Sequence, residues 1–174
     1  MGKGLKPDFF LDSLFSVRPE DLALLGIRGL LLDIDNTLVP NHIPDADEQV
    51  LSFISGMQAA GIRIAILSNA SAHRISLFNR PLGLPAVDGA FKPFRSGYTK
   101  GLALLGLTAG EVLMAGDQLF TDILGANACG IRSLQVSPMH RMEPWYVRLK
   151  RFLEKLFLGG MTPMTRLPVK SPGP

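Results

Sequence analysis

Gly29-Leu30-Leu31-Leu32-Asp33-Ile34-Asp35-Asn36-Thr37-Leu38 decides how the rest of the chain is read. Its first half is a short apolar run, the pattern of a strand buried on both faces. The run stops at two carboxylates spaced two residues apart. Side chains at i and i+2 share one side of an extended backbone, so Asp33 and Asp35 can face one pocket. In an open α/β sheet such a pocket lies at the carboxyl ends of the strands. Two anions held close repel, and need a cation, a shared proton or hydrogen-bond donors. Taken alone, the stretch fits an ordinary polar turn equally well, because Asp, Asn and Thr are common turn formers.

The chain has 174 residues and 47% apolar content, enough for one domain with a full core. Its net charge of +3 is spread except near residues 141–155, so nucleic acid is not an expected partner. A single cysteine, Cys129, excludes an internal disulfide framework and a cysteine-rich zinc site. It sits in an Ala/Gly-rich stretch and reads as a small core residue rather than a nucleophile. Near the start the only apolar run is Phe9-Phe10-Leu11, shorter than a signal-peptide core. No run approaches the ~20 residues of a membrane span. The expectation is a cytoplasmic protein.

Outward from the central stretch, strands and helices alternate. Residues 1–19 hold aromatics without clear period and read as an arm over the core. A short helix over 19–26 has proline and acids in its first turn and Gly26 at its end. After Thr37 comes a loop closed by Pro40 and Pro44. Asp45 could cap a helix over 46–60 with Val50, Leu51, Phe53, Ile54 and Met57 on its buried side. Strand 62–67 ends in Ser68-Asn69, and a helix over 72–79 follows. A short strand is expected near 89–91, stopping at Lys92. A helix over 97–105 is capped by Gly106. Strand 112–115 ends in Gly116-Asp117-Gln118, a helix covers 120–128, and a last strand covers 131–136. This alternation predicts a parallel sheet with helices on both faces. The expected organisation is one domain over 1–158, with its core at 29–136, an amphipathic helix at about 143–157 and a flexible Gly/Pro-rich tail at 159–174.

In a parallel sheet the four polar strand ends lie on one edge, so Asp33, Asp35 and Thr37, Ser68 and Asn69, Lys92, and Asp117, Thr121 and Asp122 can converge. Each is ordinary in isolation. A serine after a strand is usually a helix cap, a lone lysine is usually solvated, and Gly-Asp is usually a turn. Together they fit phosphoryl chemistry. Several hard carboxylate oxygens without a His/Cys cluster favour Mg²⁺ over zinc. A cation and Lys92 would make an attacking carboxylate tolerable beside a phosphate, so that an aspartate can act as nucleophile. The Ser68 hydroxyl and nearby amides would hold phosphoryl oxygens.

Asp33-Ile34-Asp35-Asn36-Thr37 resembles the first motif of haloacid dehalogenase-like (HAD) phosphatases. Ser68, Lys92 and Gly116-Asp117-Gln118-Leu119-Phe120-Thr121-Asp122 resemble the second to fourth motifs, in order and at suitable strand ends. The resemblance covers residues 29–136 and implies a Rossmann-like three-layer fold with a mainly parallel sheet. It implies Asp33 as nucleophile and Asp35 as general acid and then base. Ser68, Asn69 and Lys92 form the phosphate-binding set, Asn69 more by shaping its loop than by chemistry. The implied metal set is the Asp33 carboxylate, the Asp35 carbonyl and Asp117, with Mg²⁺ as cofactor and Asp122 and Thr37 behind it. A receiver domain uses similar groups, but its acidic pair comes first and its phospho-accepting aspartate on a later strand. Here the second strand supplies Ser68.

Residues 38–67 and 69–91 are too short for a separate cap domain. The site is expected to be open, and suited to phosphates on large molecules or at a surface. Beyond the motifs, the chain resembles the capless (subfamily IIIA) YqeG branch of HAD phosphatases. Leu67-Ser68-Asn69, Pro81-Leu82-Gly83-Leu84-Pro85 and Lys92-Pro93 carry that likeness. Relatives in that branch include mitochondrial and plastid phosphatidylglycerophosphate phosphatases, so the implied substrate is a lipid phosphate monoester, hydrolysed in phospholipid synthesis to phosphatidylglycerol. In the 143–157 helix, Trp145, Leu149, Phe152, Leu153, Leu156 and Phe157 share one face, with Arg148, Arg151 and Lys155 opposite. Such a helix packs on the sheet, the commoner arrangement, or lies on an anionic membrane as a peripheral contact. The alternatives are a soluble phosphate ester or phosphoprotein as substrate, and a non-catalytic scaffold. His42 and His140 match no role, and His73 reads as a helix-surface residue.

Overall fold

The computed structural model describes residues 4–87, 89–139 and 161–168. Gly29–Leu32 forms a strand whose four residues are all buried. It is β2, after β1 (Phe9–Leu11) and α1 (Pro19–Leu24). Then follow α2 (Glu48–Ala59), β3 (Arg63–Ile66), α3 (Ala72–Asn79), α4 (Arg95–Leu105), β4 (Val112–Gly116), α5 (Leu124–Ala128) and β5 (Arg132–Val136).

The five strands pair in parallel in the order β1-β5-β4-β2-β3. Leu32 lies opposite Ile66 of β3 and Ala115 of β4. Strands in this register end together, which is why three sequence-distant polar turns meet on one edge. Side chains alternate along β2. Leu30 and Leu32 join a core with Leu22, Val50, Ile54, Met57 and Phe78, under α1, α2 and α3. Leu31 joins a second core with Tyr98, Leu105 and Ala126, under α4 and α5. A Cβ on Gly101 would come to 2.8 Å from Leu31 Cδ2, so glycine permits this close approach of α4 to the sheet. The result is a three-layer α/β fold. Among the described residues no cap domain interrupts it, because α2 and α3 take up the connections that could hold one.

Several expectations change. The arm at 1–19 contributes β1, an edge strand paired with β5. Asp8 fastens it, accepting from the Ser133 amide at 3.0 Å. α2 is capped by Asp47, which accepts from Val50 N at 2.9 Å, rather than by Asp45. Leu51 on α2 is exposed instead of buried. No strand forms at 89–91. The pairing with Ile66 occurs earlier, at Ala86, and positive φ at Gly89 and Phe91 breaks the extended path beyond it. The expected helix over 120–128 opens as a π-helical turn, Leu119–Ile123, before α5. Cys129 is half-buried beside the second core. The helix at 143–157 and His140 lie outside the described residues.

The tail also differs in its described part, 161–168, which packs on the core. Met164 bridges Leu11, with its amide donating to Phe10 O at 2.8 Å, and Leu167 is buried. Arg166 grips the fully buried Asp21 in two-pronged fashion, Nη2 to Oδ1 at 2.7 Å and Nε to Oδ2 at 3.2 Å. Composition alone hid this, since one apolar anchor and one ion pair leave no periodic trace. Without Arg166, Asp21 keeps, among the described residues, a longer bond to Arg18 at 3.4 Å. Arg166→Met is therefore expected to lower stability in urea unfolding by about 1–3 kcal/mol. A change below about 0.5 kcal/mol would contradict the docked tail.

Candidate active site

After β2 the chain turns sharply. Asp33 N still donates to Ala115 O at 3.0 Å, and Leu38 N closes back on Ile34 O at 2.9 Å. Asn36 holds φ at 59°, a left-handed conformation that asparagine tolerates better than most side chains. This turn sets Asp33 and Asp35 at the sheet edge. β3 ends beside it, where buried Ser68 accepts from Ala70 N at 3.3 Å. That bond leaves the hydroxyl hydrogen to donate elsewhere.

Lys92 arrives from the loop before α4, and its backbone is clamped from both sides by one side chain. Lys92 N donates to Asn69 Oδ1 at 2.7 Å, and Asn69 Nδ2 donates to Lys92 O at 3.0 Å. The Lys92 side chain is buried, with Nζ 2.9 Å from Asp33 Oδ1 and 2.6 Å from Asp122 Oδ1. The other Asp122 oxygen accepts from Gln118 N at 3.0 Å. Tyr98, buried in α4, donates to Thr121 O at 2.7 Å and so anchors the π-helical turn that carries Asp122. Asp117 follows β4 and is fully buried, and its carbonyl accepts from Gln135 Nε2 at 2.6 Å.

Carboxylate oxygens of Asp33, Asp117 and Asp122 lie within 4.8 Å of one another. Burial works to lower the Lys92 ammonium, but Asp122 and Asp33 outweigh it and hold its pKa well above the usual lysine value. Burial pushes Asp122 up to about 6, although Lys92 opposes the shift. Three carboxylates against one lysine put an excess of acidic oxygens in this cluster. Such an excess, in a buried cluster of hard oxygen donors, fits a divalent cation.

Asp35 adds no carboxylate to this cluster. Its Oδ1 accepts from Arg74 Nε at 3.2 Å and Nη2 at 3.0 Å. Arg74 Nη1 also donates to Pro44 O at 2.6 Å, and its guanidinium lies over the Phe78 ring. Burial raises the Asp35 pKa, Arg74 pulls it down, and Asp33 adds to the rise.

A cleft of about 230 Å³ is lined by Asp33, Asp35, Ser68, Asn69, Lys92 and Gln118, among others. Asp33, Asp35, Ser68, Asn69 and Lys92 thus meet in one cleft, and Asp117 and Asp122 join Asp33 in the carboxylate cluster; Thr37 does neither. It is buried outside the cleft lining, and its hydroxyl finds no hydrogen-bond partner among the described residues. Sequence reasoning passed over Arg74, Tyr98 and Gln135. Arg74 left one signal: it stands in the first turn of the helix that follows Ser68, on the reactive edge of the sheet.

A model of a hydrolase family, haloacid dehalogenase-like hydrolase, matches residues 41–130. The "Probable phosphatase YqeG" of Bacillus subtilis (strain 168) is 32% identical over 155 residues, covering 89% of this chain and 90% of that protein. A "Ribulose-1,5-bisphosphate 5-phosphatase" of Halopiger xanaduensis is 34% identical over 137 residues, covering 74% of this chain and 54% of that protein. Among solved structures, the cobalt-bound deoxy-D-mannose-octulosonate 8-phosphate phosphatase of Haemophilus influenzae shares the fold. It has a TM-score of 0.56 at 18% identity, over 78% of this chain and 90% of that one. The chain belongs to the haloacid dehalogenase-like hydrolase family. It is an enzyme of the phosphatase class.

Gly116 gives a direct test of the cluster. A Cβ there would overlap Asp122 Oδ2, the oxygen held by Gln118 N. Gly116→Ala is expected to displace Asp122 from Lys92 and lower turnover of 4-nitrophenyl phosphate roughly 100-fold, with the circular dichroism spectrum retained. Unchanged turnover would contradict the placement of Asp122 at the site.

Proposed function

We propose that this chain is a Mg²⁺-dependent phosphomonoesterase that works through an aspartyl-phosphate on Asp33, and that its substrate is phosphatidylglycerophosphate. The observation that carries the chemistry is the Asp33 carboxylate, held 2.9 Å from Lys92 Nζ at the mouth of a cleft with Ser68. The buried lysine pairs with Asp33, whose carboxylate attacks phosphorus. Its oxygen forms the new P–O bond while the ester oxygen leaves. Asp35, whose pKa burial raises, gives that oxygen a proton and later takes one from the water that hydrolyses the aspartyl-phosphate. The Ser68 hydroxyl and the neighbouring amides hold the phosphoryl oxygens. Carboxylates of Asp33 and Asp117, with the Asp35 carbonyl, would hold Mg²⁺. When bound it supplies positive charge against the phosphate and its nucleophile. Asp122 orients Lys92.

The lipid reading draws on the likeness to the YqeG branch and on the open cleft, which admits a phosphate carried on a large molecule. The product would be phosphatidylglycerol, and residues 143–157 would supply a peripheral membrane contact. No helix among the described residues is long and apolar enough to cross a membrane. A soluble substrate is the second reading. It is favoured by the Halopiger relative, whose name gives a sugar bisphosphate as its substrate.

Phosphate release from phosphatidylglycerophosphate in mixed micelles with Mg²⁺ separates these readings. Wild type is expected to release phosphate, and Asp33→Asn to lose at least about 1,000-fold. Asp33-dependent hydrolysis of ribulose 1,5-bisphosphate, with none of the lipid, would favour the soluble reading. A further expectation concerns pH. An acid must be protonated, so kcat/KM falls as pH rises through the Asp35 pKa. Arg74 lowers that pKa. In Arg74→Gln the alkaline limb should move to higher pH, and a limb that stays or moves down would contradict the acid role of Asp35.

A further inference from the structure

Phe91 and Phe94 are 71% and 69% exposed, the most exposed large apolar residues among those described. Both line a cleft of about 430 Å³ beside the catalytic one. The two clefts share Ser68, Asn69, Ala70 and Lys92, so the phosphate position opens directly onto the pair. The rest of this outer lining is Ala72, Gly89 and Ala90, and Lys92 is its one charged residue.

The loop that presents the rings is fixed. Asn69 clamps Lys92 at both backbone groups. Gly97 of α4 abuts the Ala90 carbonyl so closely that a Cβ would overlap it. The Phe91 ring lies on Gly89, where a Cβ would stand 2.8 Å from Cε2. Phe91 itself holds φ at 46°, a conformation that glycine or asparagine adopts with less strain. Phe94 occupies the N-cap of α4, where it makes no capping bond and where serine is the favoured type. Neither local backbone preference nor core packing calls for phenylalanine at these positions. Adjacent exposed rings at a binding cleft are the usual mark of an apolar ligand.

We propose that Phe91 and Phe94 form a leaving-group subsite, which binds the aliphatic or aryl body of a phosphomonoester whose phosphate sits among Asp33, Ser68 and Lys92. The subsite rests on the phosphatase reading above and adds the class of leaving group. Among the described residues that line it, Lys92 is the one charged side chain, so past the phosphate the subsite offers apolar contact.

The test is the affinity of n-alkylphosphonic acids from methyl to octyl, kept below micelle-forming concentrations. It is measured by calorimetry with Mg²⁺ for wild type, Phe91→Asn and Phe94→Ser. These replacements suit their backbone positions, so folding is not threatened. Wild-type affinity is expected to rise about two- to fourfold per methylene. Each variant should flatten that rise while binding methylphosphonic acid within about twofold of wild type. Equal slopes in all three proteins, or no dependence on chain length in wild type, would overturn the subsite. Equal slopes with loss of binding to anionic vesicles in the variants would assign the pair to a lipid surface, and overturn it equally. The chain-length slope does not depend on turnover. Failure of the phosphatase reading shows separately, as no phosphate release by wild type or as release that persists unchanged in Asp33→Asn.

Discussion

A single buried ammonium, Lys92, stands between Asp33 and Asp122, with Asp117 close by. Three carboxylates in so small a volume repel, and burial raises the cost of each charge. The lysine offsets one charge. The surrounding structure is arranged to keep this unfavourable cluster in place. Asn69 fixes the Lys92 backbone, Tyr98 anchors the turn that carries Asp122, Gly116 leaves room for its carboxylate, and Gln135 holds the Asp117 carbonyl. Repelling groups held together at this expense belong to a site that receives something positive.

The sheet makes the cluster possible. β2 lies between β3 and β4, and its register ends all three strands at the same level. Residues from four separate turns then meet without any long excursion of the chain. The same economy places no lid over the cleft among the described residues, since α2 and α3 span the connections from which one could have grown. What borders the site instead is the Phe91–Phe94 loop on one side and Arg74, joined to Pro44 O, on the other.

The sequence carried much of this. Buried strands showed as apolar runs, and α3 was expected over 72–79, where it lies. The convergence of Asp33, Asp35, Ser68 and Asp117 could be read because each follows such a run, whereas Lys92 was expected after a strand that does not form. What escaped notice has physical reasons. β1 is three residues long at a sheet edge, too short for a period. Leu167 and Arg166 act singly. Ala86, and not the 89–91 stretch, pairs with Ile66, because backbone torsions beyond it turn positive in a way no residue pattern announced. Arg74 looks like any solvated helix arginine until the fold brings Asp35 to it. The amphipathic 143–157 segment lies outside the described residues, so its two possible placements stand as they did.

The most direct test of the charge argument is thermal unfolding of wild type and Asp117→Asn, each with and without Mg²⁺. Asp117→Asn removes one of the repelling carboxylates and one of the groups proposed to hold the cation, so the response to a divalent cation should be largely lost. The account expects Mg²⁺ to raise the wild-type Tm and to leave that of Asp117→Asn nearly unchanged. An equal rise in both proteins, or none in wild type, would contradict it.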